Sequence, residues 1–261
     1  MTGVSAALAV IGGTGMNCWP GLEIDKTEVI ETPYGAPSAS LLQGRIHGVR
    51  ALFLARHGEG HSIPPHRINY RANLWALKQA GVRSVIAIAA VGGIAKWLAP
   101  GGVAVPSDVI DYTWGREHTY ADGSGAALMH IEFTEPYAER VRRELLHAAL
   151  SQRIDVTEGG VMGVTQGPRL ESAAEIARLK RDGCDMVGMT SMPEAALARE
   201  LELDYACLAV SVNWAAGLGQ GSIHGEIEQS IERGIERVHA ILVRALPALR
   251  AQDPPERRSL P

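Results

Sequence analysis

Three short segments of the sequence carry residues suited to binding an anion. In the first, Gly12, Gly13, Thr14 and Gly15 follow an apolar run. A glycine-rich turn after a buried strand brings backbone N–H groups close to an anion, and Thr14 adds a hydroxyl donor. A tight turn without a ligand fits equally well. The segment matches no dinucleotide fingerprint, because Cys18 stands where the third glycine belongs.

The second segment pairs an arginine with a histidine. Arg56 and His57 follow the apolar run at residues 51–55, and α/β sheets bind ligands at the carboxyl ends of their parallel strands. The planar guanidinium of Arg56 suits phosphate, and His57 can donate a hydrogen bond to an anion. The alternative is a solvated loop in which Arg56 pairs with Glu59.

The third segment lies where a predicted helix begins. Thr190 and Ser191 stand at this helix N-terminus, which is a ready site for an anion. Ser191 and Glu194 also have the spacing of a capping box, with Pro193 in the first turn. Ordinary capping therefore explains Ser191 without a ligand.

Two further residues could recognise a heterocycle. Asn213 interrupts an apolar run at the end of a predicted strand, and its amide offers both a donor and an acceptor. A turn-initiating asparagine is the alternative. Glu171 follows the Gly167–Pro168 turn at the start of a predicted helix, where the helix dipole would stabilise a carboxylate with no ligand at all.

The sequence lacks the motifs of covalent and metal catalysis. It has neither a G-x-S-x-G nucleophile turn nor an H-E-x-x-H zinc motif. His61 and His66 lack the helical spacing of metal ligands and a set of carboxylates, so we expect no metal. The candidate residues indicate positioning and electrostatics as the source of catalysis.

Short apolar runs alternate with segments of helical period along the chain. Several runs are apolar without alternation, which is typical of strands buried on both faces. The predicted strands are residues 6–11, 51–55, 84–90, 102–105, 160–164 and 205–212, and the predicted helices are residues 68–80, 171–180, 193–202 and 226–249.

This alternation predicts an α/β fold, a single domain with a central mixed β-sheet flanked by helices. No change of composition divides the chain, so we expect one domain over residues 1–250. The Pro- and Arg-rich residues 251–261 are expected to form a disordered tail.

Composition excludes several classes of protein. The 261 residues include 25 Lys and Arg against 29 Asp and Glu, a net charge of −4, and no basic stripe that would favour nucleic acid. No apolar run reaches the roughly 18 residues of a membrane helix. The N-terminus lacks a basic signal-peptide region, and three scattered cysteines make no disulfide framework. A cytoplasmic protein is expected.

Five colinear motifs resemble the trimeric nucleoside phosphorylases, and most closely their methylthioadenosine phosphorylase branch. The resemblance extends to about residue 230. The motifs are I-G-G-T-G at residues 11–15, T-P-Y-G-A-P-S at 32–38, L-A-R-H-G at 54–58, N-Y-R-A-N-L-W-A-L at 69–77 and G-M-T-S-M-P-E at 188–194.

The resemblance implies a homotrimer that carries out reversible phosphorolysis of a purine nucleoside. Inorganic phosphate would be the co-substrate, and no cofactor would be needed. Met189 matches the residue that lies against the ribose. The positions that match the family's phosphate site are Thr14, Arg56, His57, Ala89, Ala90 and Thr190. Ala89 stands where the branch often has threonine, so only its backbone could serve.

The expected base pocket departs from the methylthioadenosine enzymes. They carry an Asp-x-Asp pair where this chain has Asn213, Trp214 and Ala215. A 6-amino group would lose its acceptor at Ala215, and a buried unpaired amine costs about 1–3 kcal/mol. Asn213 can instead donate to purine N7 or O6 and would be the catalytic residue. Glu171 matches a glutamate that accepts from purine N1–H in enzymes for hypoxanthine and guanine, so both positions favour a 6-oxopurine.

The residues expected near the 5′ group of the sugar are compatible with more than one substrate. Ile223 and Ile227 suit an apolar methylthio group, whereas His224 suits a 5′-hydroxyl. The expected substrate is S-methyl-5′-thioinosine, and the alternatives are inosine or guanosine, then methylthioadenosine. Two other classes stay open, a nucleoside-binding protein without catalysis and a dinucleotide-dependent dehydrogenase that uses residues 12–15. Residues 115–125 are a candidate lid.

Overall fold

The computed structural model of the protein describes residues 7–13, 21–46, 48–123, 128–220 and 223–252. Within these ranges the chain forms a mixed β-sheet with helices on both faces, which confirms the predicted α/β architecture. Thr14, Cys18 and residues 253–261 of the predicted tail lie outside the described residues.

Eleven strands make up the sheet in the described part of the chain. All six predicted strands are present, and the fifth and eleventh strands continue past their predicted ends. The strands are β1 (Leu8–Gly12), β2 (Leu22–Glu28), β3 (Leu41–Ile46), β4 (Val49–Ala55), β5 (Ser84–Gly93), β6 (Val103–Val105), β7 (Asp108–Asp111), β8 (Thr157–Glu158), β9 (Val161–Val164), β10 (Met186–Gly188) and β11 (Asp204–Trp214).

Strand β5 is central and changes neighbours along its length. Its first half pairs in parallel with β1, up to Ile11 opposite Ala87. Its last residues pair antiparallel with β10, where Val187 lies opposite Gly92. Residues 88–91 lie between the segment that pairs with β1 and the segment that pairs with β10, and on that side of β5 they pair with no strand of the described sheet. On the other side, β11 pairs along the whole of β5. The gap leaves backbone polar groups available in the middle of the sheet.

Alternate residues of the central strands enter two different cores. In β1, Ala9 and Ile11 belong to one core, whereas Leu8 and Val10 belong to the other. Because successive strand residues point to opposite faces, both faces must be apolar. This explains why the central strands are continuous apolar runs rather than alternating ones.

Five α-helices in the described residues cover the two faces. Residues of α1 and α4 pack into the first core and residues of α2 and α5 into the second, while α3 packs with the end of β10 in a third cluster. The helices are α1 (Tyr70–Gln79), α2 (Glu139–Ser151), α3 (Ala173–Arg181), α4 (Ser191–Glu200) and α5 (Ile223–Gln252).

Helix α3 begins after the predicted residue 171. Ser172 Oγ accepts a hydrogen bond from the backbone N–H of Glu175 (3.2 Å), and Glu175 Oε2 accepts from the backbone N–H of Ser172 (2.7 Å). These two bonds are a capping box. Glu171 therefore precedes the helix, and the interpretation of Glu171 as its first residue is wrong.

Helix α5 is longer than predicted at both ends. It begins at Ile223 and continues to Gln252, so the first two residues of the predicted tail are helical. Its middle lies close to the sheet at Gly234, where a Cβ atom would overlap the side chain of Val210. The glycine therefore lets α5 pack closely against β11.

Candidate active site

One cavity of about 560 Å³ opens beside the gap in β5. Trp214, a predicted substrate-binding residue, is not among the residues that line it, and Thr14 lies outside the described residues. The predicted site residues that line the cavity are Arg56, His57, Ala89, Ala90, Glu171, Met189, Thr190, Asn213, Ala215 and Ile223.

Arg56 is held at the floor of the cavity by a buried carboxylate. Its Nε and Nη2 donate to the two oxygens of Glu194 at 2.7 and 2.9 Å, and its Nη1 donates to the carbonyl oxygen of Ile88 at 2.8 Å. Arg56 is 1% exposed and Glu194 is fully buried. Two of the five guanidinium hydrogens have no partner in these bonds, so Arg56 can still donate to an anion while its orientation is fixed.

Glu194 does not form the predicted capping box with Ser191. Its carboxylate accepts from Arg56 and from the hydroxyl of Tyr205 at 2.8 Å. Ser191 Oγ instead donates to Met162 Sδ at 3.0 Å. The predicted pairing is wrong because Met192 has non-helical dihedral angles, which break the first turn of α4. The alternative pairing of Arg56 with Glu59 is also wrong.

Thr190 lies where β10 passes into α4. It is 7% exposed, lines the cavity and makes no side-chain capping bond to the helix. Its hydroxyl is therefore not used for capping. The broken first turn brings Thr190 to the cavity and turns Ser191 into the core.

His57 enters the cavity as a neutral ring. Its Nδ1 lies 2.8 Å from the carbonyl oxygen of Ile63. Because a carbonyl only accepts, Nδ1 carries the hydrogen and Nε2 is an acceptor. Burial, followed by the positive charge of Arg56, lowers the pKa of His57 to about 4. His57 thus donates from Nε2 to an anion only after it takes up a proton.

Backbone groups complete this end of the cavity. Ala89 and Ala90 lie in the gap of β5, and Gly13 lines the same cavity. A Cβ atom at Gly13 would lie 2.5 Å from the carbonyl oxygen of Ile88 and 3.0 Å from Nη1 of Arg56. Only glycine allows this close approach, which keeps the space in front of the arginine open.

Asn213 reaches the cavity through an irregularity in β11. Ser211 lies opposite Val91, yet Asn213 lies opposite Gly92, so one extra residue is accommodated between them. A β-bulge of this kind redirects the side chains that follow it. One Nδ2 hydrogen of Asn213 donates to the carbonyl oxygen of Trp214 at 2.6 Å. The bond orients the amide and leaves its second N–H and its oxygen for a ligand.

Glu171 lies in the turn between β9 and α3. It lines the main cavity and also a second cavity of about 400 Å³. Its Oε1 accepts a hydrogen bond from Thr165 Oγ1 at 2.5 Å. Sequence reasoning missed Thr165, because a threonine after a strand has no distinctive pattern.

The first turn of α5 supplies the apolar end of the cavity. Ile223 and Ile227 both line it, since residues four apart lie on one face of a helix. His224 is exposed and is not among the lining residues. Glu226 Oε2 accepts from the backbone N–H of Trp214 at 2.8 Å, which ties this turn to the end of β11.

Arg116 joins the segments that surround the cavity, and no local pattern predicted it. It is 7% exposed, and its guanidinium donates to the carbonyl oxygens of Met189, Met192, Thr165 and Gln166. Residues 115–123 of the candidate lid are thereby anchored, and none of them lines the main cavity. Residues 124 and 125 lie outside the described part of the chain.

The described residues contain neither a metal-binding cluster nor a membrane-spanning helix. No three His, Cys, Asp or Glu side chains gather there as they would around a metal ion. None of the helices found there has the length and apolar character needed to cross a membrane.

Comparison with known proteins gives matches over nearly the whole chain. Residues 7–247 match the model of the Phosphorylase superfamily. A probable S-methyl-5′-thioinosine phosphorylase of Pseudomonas syringae pv. tomato is 51% identical over 241 residues, 92% of this chain and 98% of that protein. A 6-oxopurine nucleoside phosphorylase of Pyrococcus furiosus is 40% identical over 257 residues, 96% of this chain and 94% of that protein. The solved structure of methylthioadenosine phosphorylase from Schistosoma mansoni without ligand has a TM-score of 0.88 at 31% identity and covers 95% of this chain and 92% of that one.

Proposed function

Since this chain belongs to the phosphorylase superfamily, we propose that it cleaves S-methyl-5′-thioinosine with inorganic phosphate. The products are hypoxanthine and 5-methylthioribose 1-phosphate. The relative that is 51% identical bears the name of this activity, preceded by "probable". No cofactor takes part in the proposed reaction.

One observation carries the proposal. Asn213, Glu171 and Ala215 line the same cavity. An amide and a carboxylate offer a donor for N7 or O6 and an acceptor for N1–H. Ala215 offers no acceptor to a 6-amino group. Since Glu171 has an acceptor for N1–H and adenine has no N1–H, this pattern fits hypoxanthine better than adenine.

Phosphate would bind at the other end of the cavity. Arg56, His57 and Thr190 converge there with the backbone of Ala89 and Ala90. We assign Thr14 to the same site on the family resemblance. The neutral Nε2 of His57 would accept the hydrogen of a protonated phosphate oxygen, and the fixed guanidinium of Arg56 would donate to the others.

The reaction exchanges one bond at C1′ of the sugar. A phosphate oxygen attacks C1′ as the C1′–N9 bond breaks, and the bonding electron pair passes to the purine. The phosphate gives up its proton, and the purine takes up a proton from solvent, so that the base leaves as neutral hypoxanthine. Asn213 donates to the base where negative charge develops, while Glu171 fixes the base through N1–H and Met189 lies against the ribose. Preorganised donors and orientation therefore lower the barrier.

The 5′ group separates the two 6-oxopurine substrates. Ile223 and Ile227 line the cavity, whereas His224 is exposed and does not. An apolar wall favours a methylthio group because a 5′-hydroxyl there would lose its hydrogen bonds to water. Inosine or guanosine is the second candidate substrate, since the 40% identical relative is named a 6-oxopurine nucleoside phosphorylase.

The family resemblance also supports a homotrimer in the cytoplasm. Trp114, Leu128 and Met129 are large apolar side chains that are 59–76% exposed in the single chain, as interface residues would be. Light scattering during size-exclusion chromatography should give three times the chain mass. A monomer mass would contradict the trimer.

The reaction class is tested by incubating the protein with S-methyl-5′-thioinosine in the presence and absence of phosphate. We expect hypoxanthine only when phosphate is present, in amounts equal to 5-methylthioribose 1-phosphate. Equal release without phosphate would identify a hydrolase, and binding without release would identify a nucleoside-binding protein. Either result would contradict the proposal.

A further inference from the structure

Thr165 contacts Glu171 from the side away from the main cavity. We propose that Thr165 is a positioning residue that orients Glu171 to accept purine N1–H and so sets the preference for 6-oxopurines. This inference rests on the proposed function. It concerns a residue that would not itself touch the substrate.

The bond between the two side chains fixes one carboxylate oxygen. Thr165 Oγ1 donates a hydrogen bond to Glu171 Oε1 at 2.5 Å. Thr165 lines the second cavity and not the main one, whereas Glu171 lines both. The hydroxyl thus holds Oε1 from outside the ligand space and leaves Oε2 as the acceptor for a ligand.

Thr165 is itself held firmly. Its backbone N–H donates to the carbonyl oxygen of Gly188 at 2.9 Å, and its carbonyl oxygen accepts from Arg116 Nη2 at 3.2 Å. A β-branched side chain also has few rotamers. The hydroxyl therefore holds the carboxylate from a fixed point of the sheet.

The nearest cation in the sequence forms its ion pair with another carboxylate. Arg169 lies two residues before Glu171, yet donates at 2.8 Å to both oxygens of Glu175. This hydrogen bonding to Arg169 lowers the pKa of Glu175 to about 2. Among the described residues Glu171 has no ion pair, so its free oxygen is available to a purine.

An oriented carboxylate discriminates between the two kinds of purine. Hypoxanthine presents N1–H, which donates to Oε2 of Glu171. Adenine presents a lone pair at N1, which meets a second acceptor and is repelled. Losing the Thr165 bond should therefore weaken recognition of the N1–H substrate, whereas recognition of the 6-amino substrate should not weaken.

The test compares Thr165→Val with Thr165→Ser, and uses Thr157→Val in β8 as the matched control. For Thr165→Val we expect kcat/KM for S-methyl-5′-thioinosine to fall roughly ten-fold, mostly through KM. We expect kcat/KM for methylthioadenosine not to fall, and the KM for phosphate to stay unchanged. Thr165→Ser and Thr157→Val should behave as the wild type.

The same substitution is then made in Glu171→Ala, where there is no carboxylate to orient. We expect Thr165→Val to have no further effect there, as a double-mutant cycle for coupled residues requires. An equal effect in both backgrounds, or an equal loss for both nucleosides, would mean a purely structural role and overturn the inference. If the wild type itself prefers methylthioadenosine, the proposed function fails instead, so the two failures are distinguishable.

Discussion

Asn213 is the residue on which the proposed chemistry depends most. Its free N–H would meet the negative charge that develops on the leaving purine, and one preorganised donor of this kind is worth about 3–4 kcal/mol in the transition state. We therefore expect Asn213→Ala to lower kcat by about 10²-fold or more. Steady-state kinetics with S-methyl-5′-thioinosine measures this, and near-normal turnover would remove Asn213 from the mechanism.

The preference for one purine base over another should change when residues at the end of β11 are replaced. In Asn213→Asp with Ala215→Asp, two carboxyl groups replace an amide and a methyl group, and the second gives a 6-amino group its missing acceptor. We expect the ratio of kcat/KM values to shift toward methylthioadenosine. Asn213→Asp alone is the control, because it leaves position 215 without an acceptor. An unchanged ratio in the double variant would contradict the assignment of the base pocket.

Individual residues differ in how far the sequence could reveal them. The position of Arg56 and Asn213 at the cavity could be predicted. Arg56 follows an apolar run and Asn213 interrupts one, and both lie at strand ends, where an α/β sheet binds ligands. The position of Glu194 could not be predicted, since its spacing from Ser191 also fits a capping box and only the folded chain brings it to Arg56. Arg116 donates to the carbonyl oxygens of four residues that are distant from it in sequence, so no local pattern could predict its role.

At the scale of elements, a hydrogen bond links the first turn of α5 to the end of β11. Glu226 in α5 accepts from the backbone N–H of Trp214 in β11. Ile223 and Ile227 lie in the same turn of α5, so loosening this turn should disturb the 5′ pocket. We expect Glu226→Ala to raise the KM for the nucleoside about two- to ten-fold, with the KM for phosphate unchanged.

Glu226→Gln is the control for this prediction. Its amide oxygen can still accept from the Trp214 N–H, so the KM for the nucleoside should stay close to that of the wild type. If both variants bind the nucleoside normally, α5 does not need this bond to form the pocket. If both lose nucleoside and phosphate binding alike, the effect is on the whole fold.

Long buried strands are the elements that the sequence predicts most readily. β1 and β11 are almost wholly buried, and their apolar runs are unmistakable. β2 was missed because its middle residues are exposed and mostly polar, as an edge strand allows. The bulge before Asn213 was also out of reach, because it depends on the pairing of β11 with β5 rather than on local sequence.

At the scale of the whole molecule, stability should depend on pH through His57. Its pKa is lowered to about 4 in the folded chain by burial and then by Arg56, against an ordinary value of 6.5. Between these values the unfolded chain binds a proton that the folded chain does not. The free energy of unfolding therefore decreases as pH falls from 6.5 toward 4. Burial lowers the pKa of His61 as well, which acts in the same direction.

We expect Tm to fall as pH is lowered from 6.5 to 5, a range in which ordinary carboxylates remain largely ionised. His57→Gln should make this slope shallower, because the buried titrating group is gone. The measurement is thermal unfolding followed by circular dichroism at several pH values. An identical slope for the variant and the wild type would contradict the role of His57 in this pH dependence.

The most direct test of the proposed function measures phosphate-dependent cleavage of S-methyl-5′-thioinosine, inosine and methylthioadenosine in parallel. We predict the highest kcat/KM for S-methyl-5′-thioinosine, because Asn213 and Glu171 would select the 6-oxopurine and the isoleucines of α5 the methylthio group. Inosine in first place would contradict the assignment of the 5′ pocket and leave that of the base standing. Methylthioadenosine in first place would contradict the central claim, that this cavity recognises a 6-oxopurine.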